Sequence, residues 1–77
     1  MKKVIMYSTP ACGYCHLAKD FFDEKQVEVE VFDVSVDEAR RNELVEKSGQ
    51  MGVPVIDIEG EIVIGFDQAR ITQILGL

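Results

Sequence analysis

At 77 residues, with a hydrophobic share of 47% and a charged share of 29%, the chain has globular composition and room for one small core. Its 14 acidic against 8 basic residues leave a formal charge of −6, which argues against nucleic-acid backbones and anionic membrane surfaces as partners, since both recruit a basic face. No apolar run approaches the roughly 20 residues that span a bilayer.

Residues 1–77 read as a single domain, with no repeat, linker or low-complexity tract. Met1-Lys2-Lys3 before Val4-Ile5-Met6 has the look of a signal-peptide start. The apolar stretch is far shorter than the roughly 7–15 residues of a signal core, and Tyr7-Ser8-Thr9 ends it, so the reading is cytoplasmic. Lys3 to Tyr7, rich in β-branched residues and stopped by Ser8-Thr9-Pro10, predicts a buried strand. From Cys12 the period changes. Tyr14, Cys15, Ala18, Phe21 and Phe22 recur at three- and four-residue spacing, which predicts an amphipathic helix with an aromatic core face.

Val27 to Val34 returns to alternation, with Val27, Val29 and Val31 on one side of a strand and glutamates on the other. Ser35 and Glu38 have capping-box spacing, and a charged helix to about Ser48 follows, with Val36, Ala39, Leu44 and Val45 as its inward residues and Gly49 as its stop. Val53 to Ile58 is a strand opened by Pro54, Glu59-Gly60 a turn, and Glu61 to Ile64 the returning strand of a hairpin. Asp67 caps a last helix carrying Ile71, Ile74 and Leu75. The order βαβαββα is α/β. A right-handed parallel βαβ unit followed by an antiparallel hairpin makes a four-stranded mixed sheet flanked by three helices.

The two cysteines of the chain stand within Cys12-Gly13-Tyr14-Cys15. A bridge between them closes almost no loop, so it adds little to stability and points instead to chemistry. Cys12 opens the helix, where unpaired amides and the macrodipole favour a thiolate and lower its pKa below the free value of about 8.5. Cys15 lies one turn deeper on the same face. Cys12 is then the attacking thiol and Cys15 the resolving one. Three other readings compete: a zinc site short of ligands within this chain, haem attachment through Cys12-Gly13-Tyr14-Cys15-His16 with Met51 as second axial ligand, and two packed thiols without function. His16 reads as a helix-surface residue and Lys19 as a solvated charge; no metal site is expected.

Tyr7-Ser8-Thr9-Pro10-Ala11-Cys12-Gly13-Tyr14-Cys15-His16-Leu17-Ala18-Lys19 resembles the active-site strand–helix junction of glutaredoxins. Ser48-Gly49-Gln50-Met51-Gly52-Val53-Pro54 resembles that family's Thr-Val-Pro loop, and Ile64-Gly65-Phe66-Asp67 its closing glycine–aspartate segment. The resemblance implies a thioredoxin-like fold with a cis bond before Pro54, where the bare residue reads equally as a trans edge-strand opener. It also implies that the main chain of Val53 meets an extended peptide or glutathione beside Cys12.

Substrate or glutathione contacts would come from Tyr14, Arg41, Gln50, Gly52, Val53, Pro54, Gly65, Phe66 and Asp67. Arg41 and Gln50 read equally as helix-surface polar residues, Phe66 as a core aromatic and Asp67 as a simple cap. Departures from the family pattern are Gly13 in place of proline, Thr9 in place of a basic residue, and Phe66 within the closing segment. The Gly65-Phe66 pair resembles the glutaredoxin-like hydrogen donors of ribonucleotide reductase, which a thioredoxin reductase serves.

The expected function is reduction of protein or glutathione mixed disulfides, with glutathione as co-substrate and no permanently bound cofactor. Expected partners are disulfide-containing proteins and either glutathione or a flavoprotein disulfide reductase, without nucleic acid or membrane, the chain acting as a monomer. The alternatives are a hydrogen donor dependent on thioredoxin reductase and an iron–sulfur cluster carrier.

Overall fold

The computed structural model describes residues 2–77. Its elements run β1 (Val4–Ser8), α1 (Gly13–Glu24), β2 (Val29–Asp33), α2 (Glu38–Ser48), β3 (Val55–Ile58), β4 (Glu61–Ile64) and α3 (Gln68–Leu75). The sheet order is β2-β1-β3-β4. β1 runs parallel to β2, with Ser8 opposite Asp33, and antiparallel to β3, with Tyr7 opposite Val55. β3 and β4 form the expected antiparallel hairpin. At its turn Glu59 and Gly60 both take positive φ, 51° and 92°, the geometry whose twist matches a two-residue hairpin.

Alternation along the strands divides the core in two. Val4, Met6, Ile56 and Ile58 face α1 and α3, where Phe22 and Ile71 cover them. Tyr7 and Val55 face α2, together with Val34 and Leu44. In α1 Cys15, Ala18, Phe21 and Phe22 are buried as the spacing predicts, whereas Tyr14, expected on the same face, stands in the first turn and is exposed.

Several expectations are corrected. The second strand is shorter than Val27–Val34: Val27 precedes it, and Val34 leaves it to send its amide to Ser8 O at 2.9 Å. Val31 does not share the burial of Val27 and Val29; β2 is an edge strand, and Val31 is 42% exposed there. Ser35 and Glu38 do not form a capping box. Asp33 Oδ1 takes both the amide and the hydroxyl of Ser35, and Asp37 caps α2 by accepting Arg40 N at 3.1 Å.

Val36, Ala39 and Val45 are exposed, Val36 by 83%. Leu44 is the one buried residue of α2, because the helix turns a polar face, Arg40, Glu43 and Lys47, to the sheet. Gly49 ends the helix in the left-handed conformation, φ 73°. β3 starts after Pro54, which has no N–H to donate to a ladder.

Candidate active site

The residues between β1 and α1 set the position of the first cysteine. Cys12 N donates to Thr9 O at 3.2 Å, and His16 Nε2–H donates to Pro10 O at 2.9 Å, so His16 acts as a brace for this turn. Cys12 is the N-cap of α1, in extended backbone geometry, and its Sγ accepts the Cys15 amide at 3.1 Å. No acidic residue stands in the first turn of α1. The positive end of the helix dipole is therefore unopposed at the sulfur.

Cys12 and Cys15 are joined as a disulfide, with Cα atoms 5.2 Å apart. Their surroundings differ: Cys12 is half-buried, whereas Cys15 is 3% exposed. Tyr14, between them, is 67% exposed. Lys19 pairs with Asp23 on the helix surface, which is the solvated reading. An open cleft of about 310 Å³ passes Cys15 on its β2 side, between Met6, His16 and Val31.

The Tyr7–Val55 register brings Pro54 to the end of the sheet from which the cysteine turn departs. The Val53-Pro54 peptide is cis, as the resemblance implies. Pro54 O accepts Gly65 N at 2.8 Å, which joins two of the implied substrate segments; Gly65 holds φ 81°, a conformation glycine adopts without penalty. Asp67 caps α3, accepting Arg70 N at 3.1 Å.

Three further residues point elsewhere. The Phe66 ring packs on Phe21, centroids 5.7 Å apart, so its side chain belongs to the core. Arg41 Nη1 donates to Val34 O at 3.1 Å. Gln50 closes on its own loop, donating to Gly52 O and accepting Gly52 N. A Cβ at Gly52 would stand 2.6 Å from Gln50 Oε1, so the glycine makes room for that closure.

A polar cluster under α2 escapes the sequence reading. Lys47 Nζ donates to Asp57 Oδ2 at 2.7 Å and to Tyr7 Oη at 2.8 Å; Tyr7 in turn donates to Glu43 Oε1 at 2.9 Å. Arg40 binds the other Glu43 oxygen and lies 3.9 Å over the Phe32 ring. Asp57 Oδ1 accepts Gly60 N at 2.8 Å.

Burial pushes the Tyr7 phenol up, and the Lys47 ammonium only partly offsets it. Burial would lift Asp57 too, but the Lys47 bond and the Gly60 amide hold its carboxyl below the ordinary value. For Lys47, burial acts downward and is outweighed by Asp57 and Tyr7, which raise it. The signal was present in Asp57 itself: a carboxylate within a buried strand requires a partner.

A family model described as Glutaredoxin matches residues 4–63. The chain belongs to the glutaredoxin family. It is 37% identical over 70 residues to an uncharacterized glutaredoxin-like 8.6 kDa protein in the rubredoxin operon of Clostridium pasteurianum, covering 91% of this chain and 93% of that one. It is 33% identical over 67 residues to glutaredoxin 3 of Escherichia coli K12, covering 87% and 81%. The crystal structure of the thioredoxin-like protein BC3987 superposes with a TM-score of 0.86 at 35% identity, over 92% of this chain and 97% of that one.

The thioredoxin-like α/β fold expected from the sequence is thus the observed one, and the Cys12–Cys15 pair gives this glutaredoxin a thiol–disulfide redox role. Among the described residues no helix is long and apolar enough to cross a membrane.

Proposed function

We propose that this glutaredoxin is a dithiol oxidoreductase that reduces disulfides in proteins and mixed disulfides with glutathione, residues 1–77 acting as one domain and as a monomer in the reducing cytoplasm. The observation that carries the reading is the unequal setting of the two sulfurs, Cys12 at the open helix end with an amide on its Sγ and Cys15 buried behind it.

In the reduced protein the Cys12 thiolate attacks a substrate disulfide and forms a mixed disulfide, releasing one substrate thiolate. The Cys15 thiolate then attacks Cys12, the second substrate sulfur leaves as thiolate, and the Cys12–Cys15 bond closes. Two glutathione molecules, leaving as glutathione disulfide, or a flavoprotein disulfide reductase then return the two electrons. Tyr14, the main chain of Gly52, Val53 and Pro54, and the Gly65–Asp67 segment bind the substrate beside Cys12, with the Asp67 amide at the α3 N-terminus offered to an anionic group. Arg41 binds a substrate carboxylate after leaving Val34 O, and Gln50 turns its Nε2 to the substrate while its Oε1 keeps the Gly52 amide.

Cys12→Ser is expected to abolish exchange, and Cys15→Ser to accumulate mixed disulfides visible by intact-mass measurement. The rate of alkylation of reduced Cys12 is expected to reach half its maximum below pH about 8.5, the ordinary thiol value. Full exchange activity in both serine variants would overturn the reading. Reduction of the oxidised protein by glutathione with its reductase, set against thioredoxin reductase with NADPH, identifies the electron donor. Thr9, standing where the family places a basic residue, favours the flavoprotein as the faster of the two.

A further inference from the structure

α2 reaches the sheet through one buried apolar side chain, Leu44. A single leucine restrains a helix against sliding and rolling far less than a row of interlocked side chains does. What fixes α2 is the hydrogen-bonded chain under it, and Lys47 is the member that touches two strands at once. Its Nζ lies 2.8 Å from Tyr7 Oη on β1 and 2.7 Å from Asp57 Oδ2 on β3. No buried side-chain polar atom among the described residues is left without a partner.

The same turn of α2 is wired to the loop that follows. Ser48 Oγ lies 2.6 Å from Leu44 O and 2.9 Å from Gln50 O, and it accepts Gln50 Nε2 at 3.2 Å. Gln50 in turn holds both the amide and the carbonyl of Gly52. Two sets of hydrogen bonds, joined by the Lys47–Ser48 peptide, therefore connect the strands to the residue before Val53.

We propose that Lys47 is the positioning residue of the substrate loop: by bridging Tyr7 on β1 and Asp57 on β3, it fixes the last turn of α2 and with it the course of Gly49–Val53 toward Pro54, at the end of the sheet from which the cysteine turn departs. Lys47 makes no contact with the reacting sulfurs. It acts on binding geometry and leaves the nucleophile alone. The proposal rests on the thiol–disulfide reading for its kinetic readout, and on amide exchange for a readout independent of it.

The test uses the full chain, reduced, mixed with a peptide disulfide in single-turnover stopped flow. Lys47→Met keeps most of the stem and removes both bonds. The half-saturating peptide concentration is expected to rise roughly 3- to 10-fold, the penalty of a displaced binding element. The limiting rate and the pH profile of Cys12 alkylation are expected to stay at the wild-type values. The Gly52 amide is expected to exchange faster with solvent. Lys47→Arg, which can still span a phenol and a carboxylate, is expected to restore most of the loss.

An unchanged half-saturation in a folded Lys47→Met protein overturns the proposal. So does a limiting rate or alkylation profile that falls with it, because Lys47 would then act on Cys12 or on the whole fold. If Lys47→Met does not fold, Tyr7→Phe takes its place, with a smaller rise expected and no rise decisive against. Absence of disulfide exchange in the wild type would defeat the functional reading; the Gly52 exchange rate then decides the positioning role alone.

Discussion

On one face of the sheet α1 and α3 set Phe22 and Ile71 directly on Met6, Ile56 and Val63. On the other, α2 contributes Leu44 and otherwise meets the strands through charged and phenolic groups. A fully buried large apolar side chain contributes about 1.5–3 kcal/mol, a typical hydrogen bond about 1 kcal/mol net. The cysteines ride on the strongly packed face and the Gly49–Val53 loop on the weakly packed one. Under the proposed function this arrangement would hold the nucleophile firmly while the loop that meets substrates opens at lower cost, a division familiar from local unfolding.

The two faces differ most in their cores. Phe22→Ala is expected to cost about 3–5 kcal/mol in urea denaturation, enough to threaten the fold. No single polar change under α2 should match it, and one that did would remove the contrast. Native-state hydrogen exchange sharpens the same point, since amides of α2 are expected to exchange faster than those of α1. Equal protection in the two helices would show that the polar cluster locks as firmly as the apolar core.

Asp57→Asn is expected to cost about 1–2 kcal/mol near neutral pH, because it leaves Lys47 without its counter-charge. The pH dependence follows from the direction of each shift. The Asp57 carboxyl is held below its ordinary value of 3.8 in the folded chain, so its contribution is present above that pH and is lost as pH falls through the folded value. Lys47 is raised above 10.5, so its contribution is present below that pH and is lost as pH rises through the folded value. The wild type and Asp57→Asn should converge in stability as pH falls below 3.8 and through the folded value, and a gap that does not narrow on acidification would contradict the pairing. Gly52→Ala is the smallest change: a Cβ that displaces the Gln50 amide is expected to shift stability by no more than about 0.5 kcal/mol. It should still weaken substrate binding, though less than Lys47→Met does.

Features governed by neighbouring residues were legible in the sequence. The Cys12–Cys15 helix start, the Gly49 stop, the Glu59-Gly60 turn and the Asp67 cap each follow from local chemistry, and each stands where expected. The face α2 presents was not legible. Helical periodicity weighs apolar residues, and it brought Val36, Ala39 and Val45 inward, whereas the sheet offered Tyr7 and Asp57 as partners for Glu43 and Lys47. Tyr7 and Lys47 lie 40 residues apart, and no local pattern couples them. Ser35 misled for a related reason, because the carboxylate of Asp33 competed for its hydroxyl before the helix began. In the candidate site the two sulfurs were readable from their motif, whereas the inward turn of Phe66 depended on where Phe21 came to lie.

β2 borders solvent along its outer edge, with Val31 uncovered and the carboxylates of Glu28 and Glu30 exposed beside it. A ribbon with free N–H and C=O groups is adhesive toward another of its kind. Two molecules meeting edge to edge would bring those acids together, so like charge works against the pairing that the open edge invites.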